Sequence, residues 1–269
     1  MTTAPEPKGK LDAMTVQLDA EAEAGRIVNG PEGDVLVMDW DAIDWRAQED
    51  SVRRLRQRIF KATRDGDWAK VRNLQKLMLR SLSNTLVSVR QVTQHNTGRK
   101  TPGIDGQVAL SPVARVELVQ ELHCWVRPWQ ARPVKRVYIP KANGKLRGLG
   151  IPVILDRVQQ ARVKAALEPE WEARFEPRSY GFRPGRSCQD AIEVIYEAGK
   201  GANAARLWVL DADLAAAFDK IDHGRLLAAL EGFPAREMIR QWLEAGVVDQ
   251  GRFAPRHTFH KWKPLPYIR

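Results

Sequence analysis

The segment LDADLAAAFDKIDH, residues 210–223, sets four carboxylates, Asp211, Asp213, Asp219 and Asp222, into apolar surroundings. Read as a strand from Leu207, it places Val209, Asp211 and Asp213 on one face and Trp208, Leu210, Ala212 and Leu214 on the other. A carboxylate leaving the C-terminal end of a buried strand can meet a divalent ion. Mg²⁺ prefers such hard oxygen ligands together with substrate phosphates. Two-metal phosphoryl transfer needs at least two carboxylates converging from different elements. Strand geometry puts Asp211 about 7 Å behind Asp213. Asp219 and Asp222 fall on a turn or helix start, where capping or local pairing is the ordinary role. The stretch therefore supplies one good ligand, Asp213, and not a complete site.

A second chemical grouping is cationic. RPVKRVYIPKANGKLRGLGIP alternates Val134, Arg136 and Tyr138 with Lys135, Val137 and Ile139, turns at Asn143-Gly144, and returns as a partner strand. Lys141 and Arg147 flank that turn. They can bend over a triphosphate, Lys as a point charge and Arg as a fork, or stand as plain exposed charges on a hairpin. Gly148-Leu149-Gly150 is not a dinucleotide fingerprint, since no third glycine or helix start follows at the required spacing. RSYGFRPGRS, residues 178–187, is a basic loop carrying Arg178, Arg183 and Arg186.

The elements that position these groups follow from periodicity and caps. Residues 1–44 mix Pro, Gly, Ala and acids without a lasting period and read as a disordered acidic leader. From Trp45, Val52, Leu55, Ile59 and Ala62 recur at helical spacing, with Arg53, Arg54, Arg56, Arg58 and Lys61 around them, of which Arg53, Arg54, Arg58 and Lys61 are taken as candidate phosphate contacts. A turn at 64–67 leads to a helix capped by Asp67 and expected to reach about residue 93. A Gly/Pro-punctuated loop spans 98–106. Ser111 then caps a helix with Pro112 in its first turn. Asp156 is expected to cap a helix ending near Leu167, with Pro169 close to its end. CQDAIEVIYEAGKG forms a further helix.

Charge divides the chain. Residues 1–50 hold 4 Lys/Arg against 12 Asp/Glu, a net of −8, which leaves +18 on the rest of a 269-residue chain whose total is +10. A body of that sign attracts polyanions, and nucleic acid is the usual one. The two cysteines, Cys124 and Cys188, lack disulfide or zinc spacing, and no apolar run has the length of a membrane span. A soluble cytoplasmic protein without a membrane partner is expected.

TPGIDG, RPVKRVYIPKANGKLRGLGIP, RSYGFRPGRSCQDAI and LDADLAAAFDKIDH occur in the order seen in group II intron-encoded reverse transcriptases, or maturases, which the chain resembles over roughly 45–252. The resemblance implies an α+β fold, in which an N-terminal helical extension (45–105) precedes the fingers and partial palm (106–252) of a right-hand polymerase. It also implies Mg²⁺-dependent RNA-directed DNA synthesis with a DNA primer and dNTP, and help in splicing group II intron RNA. By position, Asp213 matches the first catalytic metal ligand, with the Leu214 backbone carbonyl as a further contact. Phe218 matches the aromatic gate beneath the deoxyribose. Lys141 and Arg147 match the residues holding the incoming triphosphate. Arg178, Arg183 and Arg186 are expected near template or nucleotide, or else as braces of the fingers.

Two departures stand out. The family often reads Asp-Ile-Lys-Gly where this chain has Asp213-Leu214-Ala215-Ala216, which removes a local lysine and not the metal ligand. Past GVVDQGRF the family continues into Gly-Thr-Pro-Gln-Gly-Gly and a Tyr-Ala-Asp-Asp hairpin, whereas this chain reads APRHTFHKWKPLPYIR. Residues 253–269 are thus expected to be an aberrant, disordered basic tail arising from a frameshift or premature stop near Ala254–Arg256. With one anchored carboxylate, the expectation is a polymerase by lineage whose own polymerase activity is lost. The alternative is a non-catalytic module that holds intron RNA.

Overall fold

The computed structural model describes residues 38–123, 129–140, 142, 144, 146–201, 208–214 and 220–255. Within them, helices α1 (Trp45–Arg64), α2 (Trp68–Arg80), α3 (Leu82–Arg90), α4 (Pro112–His123) and α5 (Ile154–Arg174) build a bundle. A hairpin of β1 (Val134–Pro140) and β2 (Leu146–Ile151) precedes α5. Helices α6 (Cys188–Gly199), α7 (His223–Ala229) and α8 (Arg236–Glu244), then β3 (Val247–Asp249) and β4 (Arg252–Ala254), complete the described chain. The mixture is α+β, as expected.

Local signals account for most of these starts and stops. Asp44 caps α1 by accepting from the Ala47 amide at 3.0 Å, Asp67 caps α2 from Lys70 at 3.0 Å, and Ser111 Oγ receives the Ala114 amide at 3.2 Å. Ser187 and Asp190 close a reciprocal capping box at the start of α6. In the hairpin, Tyr138 stands opposite Gly148 and Ile139 opposite Arg147. Gly144 takes φ +75°, the left-handed conformation an Asn-Gly turn requires.

Helix α5 is the spine. Its N-terminal half, through Ile154 and Val158, packs with Trp40, Leu86, Val89, Val119 and Leu122. Its C-terminal half, through Val163 and Ala166, packs with Val52, Ile59, Val71, Leu74, Met78 and Phe233. Ile59, Val71 and Met78 are fully enclosed, and burying such a side chain contributes roughly 1.5–3 kcal/mol. The sheet order is β2-β1-β3-β4, with β1 antiparallel to β2 and parallel to β3, where Val134 faces Val247.

Five expectations need correction. The body begins before Trp45, because Trp40 is buried against Trp45 with ring centroids 4.8 Å apart. The helix expected over 67–93 breaks at Ser81 (φ −68°, ψ 126°), which ends α2 and caps α3. The Met78 carbonyl accepts from the Ser81 amide (3.2 Å) and the nearby Asn84 Nδ2 (2.9 Å), and the Leu79 carbonyl from an Arg162 guanidinium N–H (2.6 Å), so local donors and one tertiary donor satisfy the break. Helix α5 runs through Pro169 to Arg174, although an interior proline costs about 3 kcal/mol. Beyond that proline the buried Glu170 accepts from Arg72 at 2.6 Å and Gln75 at 2.7 Å, anchoring the last turn. Asp156 is not the cap, since it lies inside the first turn of α5, buried. At the other end, the sheet takes in Phe253 and Ala254, so the ordered body passes residue 252.

The chemical segment itself departs furthest. Residues 208–214 form no strand, and Trp208, Val209 and Leu210 are about nine-tenths exposed, at 93, 89 and 91%. No strand of the described sheet runs beside them, so the alternation has nothing to bury its apolar face against.

Candidate nucleic-acid and nucleotide interface

Helix α1 turns Val52, Ile59 and Ala62 into the core and leaves Arg53, Arg54, Arg58 and Lys61 exposed on the far side. Arg54, Arg58 and Lys61 follow i, i+4, i+7 spacing and share one face. Arg53 pairs with Asp50 at 2.8 Å, and Arg54 donates to Ser51 Oγ at 3.2 Å. Arg56 points the other way and is used structurally, pairing with Glu168 at 2.5 Å. The helix therefore separates a packing cation from a solvated cationic ridge.

The TPGIDG loop is nailed to the start of α5 by Arg157, which is buried. Its guanidinium donates to Gly98 O (3.0 Å), Thr101 O (2.6 Å) and Pro152 O (3.1 Å). Gly103 sits so close that an added Cβ would lie 2.6 Å from Val153 Cα, so only glycine fits there. In the hairpin, Arg147 is half-buried with its Nε shielded and without a hydrogen-bond partner. Lys141 lies outside the described residues, as do Phe218 and Asp219.

Asp213 and Leu214 are exposed, Leu214 at 80%, and Asp211 is exposed beside them. Among the described residues no three His, Cys, Asp or Glu side chains cluster as a metal site. These residues by themselves do not fit a complete Mg²⁺ centre. Of the two roles open to Asp222 in the sequence, capping and local pairing, the structure shows the first, since it caps α7 by accepting from the Arg225 amide at 2.7 Å.

The three loop arginines separate. Arg183 grips the Glu172 carboxylate (2.7 Å) and donates to the carbonyls of Glu176 (2.6 Å) and Ser179 (2.7 Å), with its side chain only 6% exposed. Those bonds describe a brace of the loop, the second of the two roles open to it. Arg186 lies over the Tyr180 ring at 5.3 Å, and Arg178 is exposed.

Two features escape sequence reasoning. Burial pushes the Asp156 carboxyl up to about 6. It accepts from the Arg132 amide at 3.0 Å. The indoles of Trp129 and Trp242 face it and favour its charged form, yet neither closes a hydrogen bond, and Asp156 Oδ1 is left without one. Asp156 thus joins α5, the approach to β1, and α8. Tyr138 donates to Asp249 at 2.6 Å across β1 and β3, and this bond raises the phenol above its usual range. Neither contact carries a sequence signal, because its partners are separated by 24 and 111 positions.

No helix among the described residues is long and apolar enough to cross a membrane. A family model described as the N-terminal domain of reverse transcriptase matches residues 40–122, and one described as reverse transcriptase (RNA-dependent DNA polymerase) matches 139–267. Protein YkfC of Escherichia coli (strain K12) is 33% identical over 217 residues, covering 78% of this chain and 52% of its own length. Group II intron-encoded protein LtrA of Lactococcus lactis subsp. cremoris is 33% identical over 165 residues, 59% of this chain and 26% of its own. Maturase-like protein 1 of Euglena gracilis is 34% identical over 150 residues, 54% of this chain and 33% of its own. The chain thus spans from about half to a quarter of the length of these curated relatives. Two reverse-transcriptase domains in order, over a helical body and a basic hairpin, make the chain a member of the reverse-transcriptase family, homologous to group II intron-encoded proteins.

Proposed function

We propose that this chain is the RNA-holding N-terminal extension, fingers and partial palm of a group II intron reverse transcriptase and maturase. The observation that carries the reading is the solvated ridge of Arg54, Arg58 and Lys61 on the helix matched by the reverse-transcriptase N-terminal domain. Arg53 lies beside that ridge, and Arg178 and Arg186 extend the cationic surface on the fingers loop. Arg183 is assigned to bracing that loop. Lys141, Arg147 and Phe218 are the nucleotide-binding residues of the reading, and RNA template, DNA primer and dNTP are its substrates. In this reading Asp213 and the Leu214 carbonyl are the residues that would contribute ligands to the Mg²⁺ expected for the family.

One carboxylate cannot hold two metals, so the chain alone is expected to bind RNA without extending primers. Primer extension on an RNA template with Mg²⁺ tests this, and robust incorporation refutes it. RNA binding across a salt series tests the remainder. Affinity should fall steeply with salt, and Arg54→Glu with Arg58→Glu should weaken it at least tenfold, as loss of phosphate contacts requires. Salt-insensitive binding would remove the reading.

A further inference from the structure

The cationic ridge of α1 does not end in open solvent. One turn beyond Lys61, Arg64 reaches the rim of an open cavity of ≈ 570 Å³ between the α1–α2 turn, the last turn of α5 and the end of α7. That volume lies within the roughly 300–1,000 Å³ of small-ligand sites. Its walls combine an aromatic platform with arginines, namely Trp68, Arg64, Arg72 and Arg174. Trp68 opens α2 and keeps 48% of its surface exposed, unusual for so large an apolar ring.

The arginines are not equivalent. Arg72 is consumed by Glu170 (2.6 Å), Gln75 (2.9 Å) and the Glu231 carbonyl (3.2 Å). Arg174 lies between two indoles, 4.5 Å over Trp171 and 6.0 Å from Trp68. It touches the buried Glu170 at 3.3 Å and keeps 44% of its side chain exposed. Glu170 is therefore neutralised within the wall, and the charge left at the mouth is that of Arg64 and Arg174, with Glu231 on the opposite lip.

From Arg54 to Arg64 the α1 ridge runs about 15 Å, at 1.5 Å per residue. We propose that this cavity takes an unpaired base of single-stranded RNA, stacked against Trp68 and the Arg174 guanidinium, with Arg64 on the adjoining phosphate. A π face and a planar cation accept any base, and a cationic groove tracks the backbone, which is how single strands are held without reading sequence. The site extends the RNA-binding ridge and so rests on that reading, while adding a preference for unpaired strands that the ridge lacks.

The test uses the full chain, a short fluorescein-labelled oligouridylate and an RNA duplex of equal length, both read by anisotropy over a salt series. Thermal denaturation of each variant runs alongside. Trp68→Leu should weaken oligouridylate binding about tenfold, as loss of one base stack does, and leave the duplex unaffected. Trp68→Phe should restore most of the loss. Arg64→Gln should lower the salt slope by about 0.7, one phosphate of a single strand. Arg174→Gln supplies a second route should Trp68→Leu fail to fold. Full-strength binding of the oligouridylate by Trp68→Leu or by Arg174→Gln overturns the proposal, as does an equal loss on the duplex. If the proposal fails while Arg54→Glu with Arg58→Glu still abolishes binding, the ridge reading survives it. If those charge reversals are silent too, both fall.

Discussion

Helices α1 and α6 are both amphipathic and both well capped, yet they end in opposite situations. Helix α1 buries Val52, Ile59 and Ala62 against α2, α3 and α5, whereas α6 buries no residue at all and leaves Ile192, Ile195 and Tyr196 more than half exposed. The segment at 208–210 repeats the pattern with Trp208, Val209 and Leu210 in the open. Amphipathicity states that a face needs covering, and it does not supply the cover. In the helical body the cover comes from α5, which lies in the same chain and serves two clusters. Around α6 and residues 208–210 the described residues offer none.

Stability measurements should expose that asymmetry most sharply in the core. Ile59→Ala, which empties a fully buried site, is expected to cost about 2–5 kcal/mol by chemical denaturation. Ile195→Ala on α6 should stay within about 0.5 kcal/mol. Equal losses at the two positions would erase the distinction between the regions. Glu170→Ala comes next. It strips Arg72 and Gln75 of their buried acceptor, and breaking such a pair is worth about 3 kcal/mol. A loss near zero would mean that α5 holds its last turn past Pro169 without this anchor.

Asp156 offers a pH-dependent version of the same test. Its carboxyl is raised in the folded state to about 6 from the usual 3.8, so folding favours the protonated form. The stabilisation is fully present below about pH 4, declines as pH rises through 6, and is absent above. Wild type minus Asp156→Asn should therefore show stability falling between about pH 4 and 6.5, by up to about 2–3 kcal/mol at 1.36 kcal/mol per unit. A flat difference across that window would show that the Trp129–Trp242 surroundings do not penalise the charge. The smallest effect belongs to the caps. Asp67→Ala should cost about 1 kcal/mol in the packed body, and Asp222→Ala, on the exposed α7, less than that.

Much of this is legible along the chain. Asp67, Ser111 and Asp222 declare themselves as caps because the amides they accept lie three residues away. The hairpin is legible because Asn143-Gly144 encodes its turn. The cationic ridge of α1 is legible because a 3.6-residue period sorts Ile59 from Arg58. The ordered motifs from TPGIDG to LDADLAAAFDKIDH point to the family that the two domain matches establish.

What the sequence determined by itself, then, is where several helices begin, the hairpin, the sign of the charge and the lineage, since each is written in residues a few positions apart. Tertiary structure alone decided the rest. It helped split the second helix at Ser81, because Arg162, 83 positions away, could satisfy the carbonyl of Leu79. It carried α5 past Pro169 and buried Asp156 beneath two indoles. It spent Arg183 on Glu172 and the loop carbonyls, and it left Asp213 on an exposed segment in place of a buried strand. Burial and pairing depend on partners distant along the chain, and a local pattern can request such a partner without naming one.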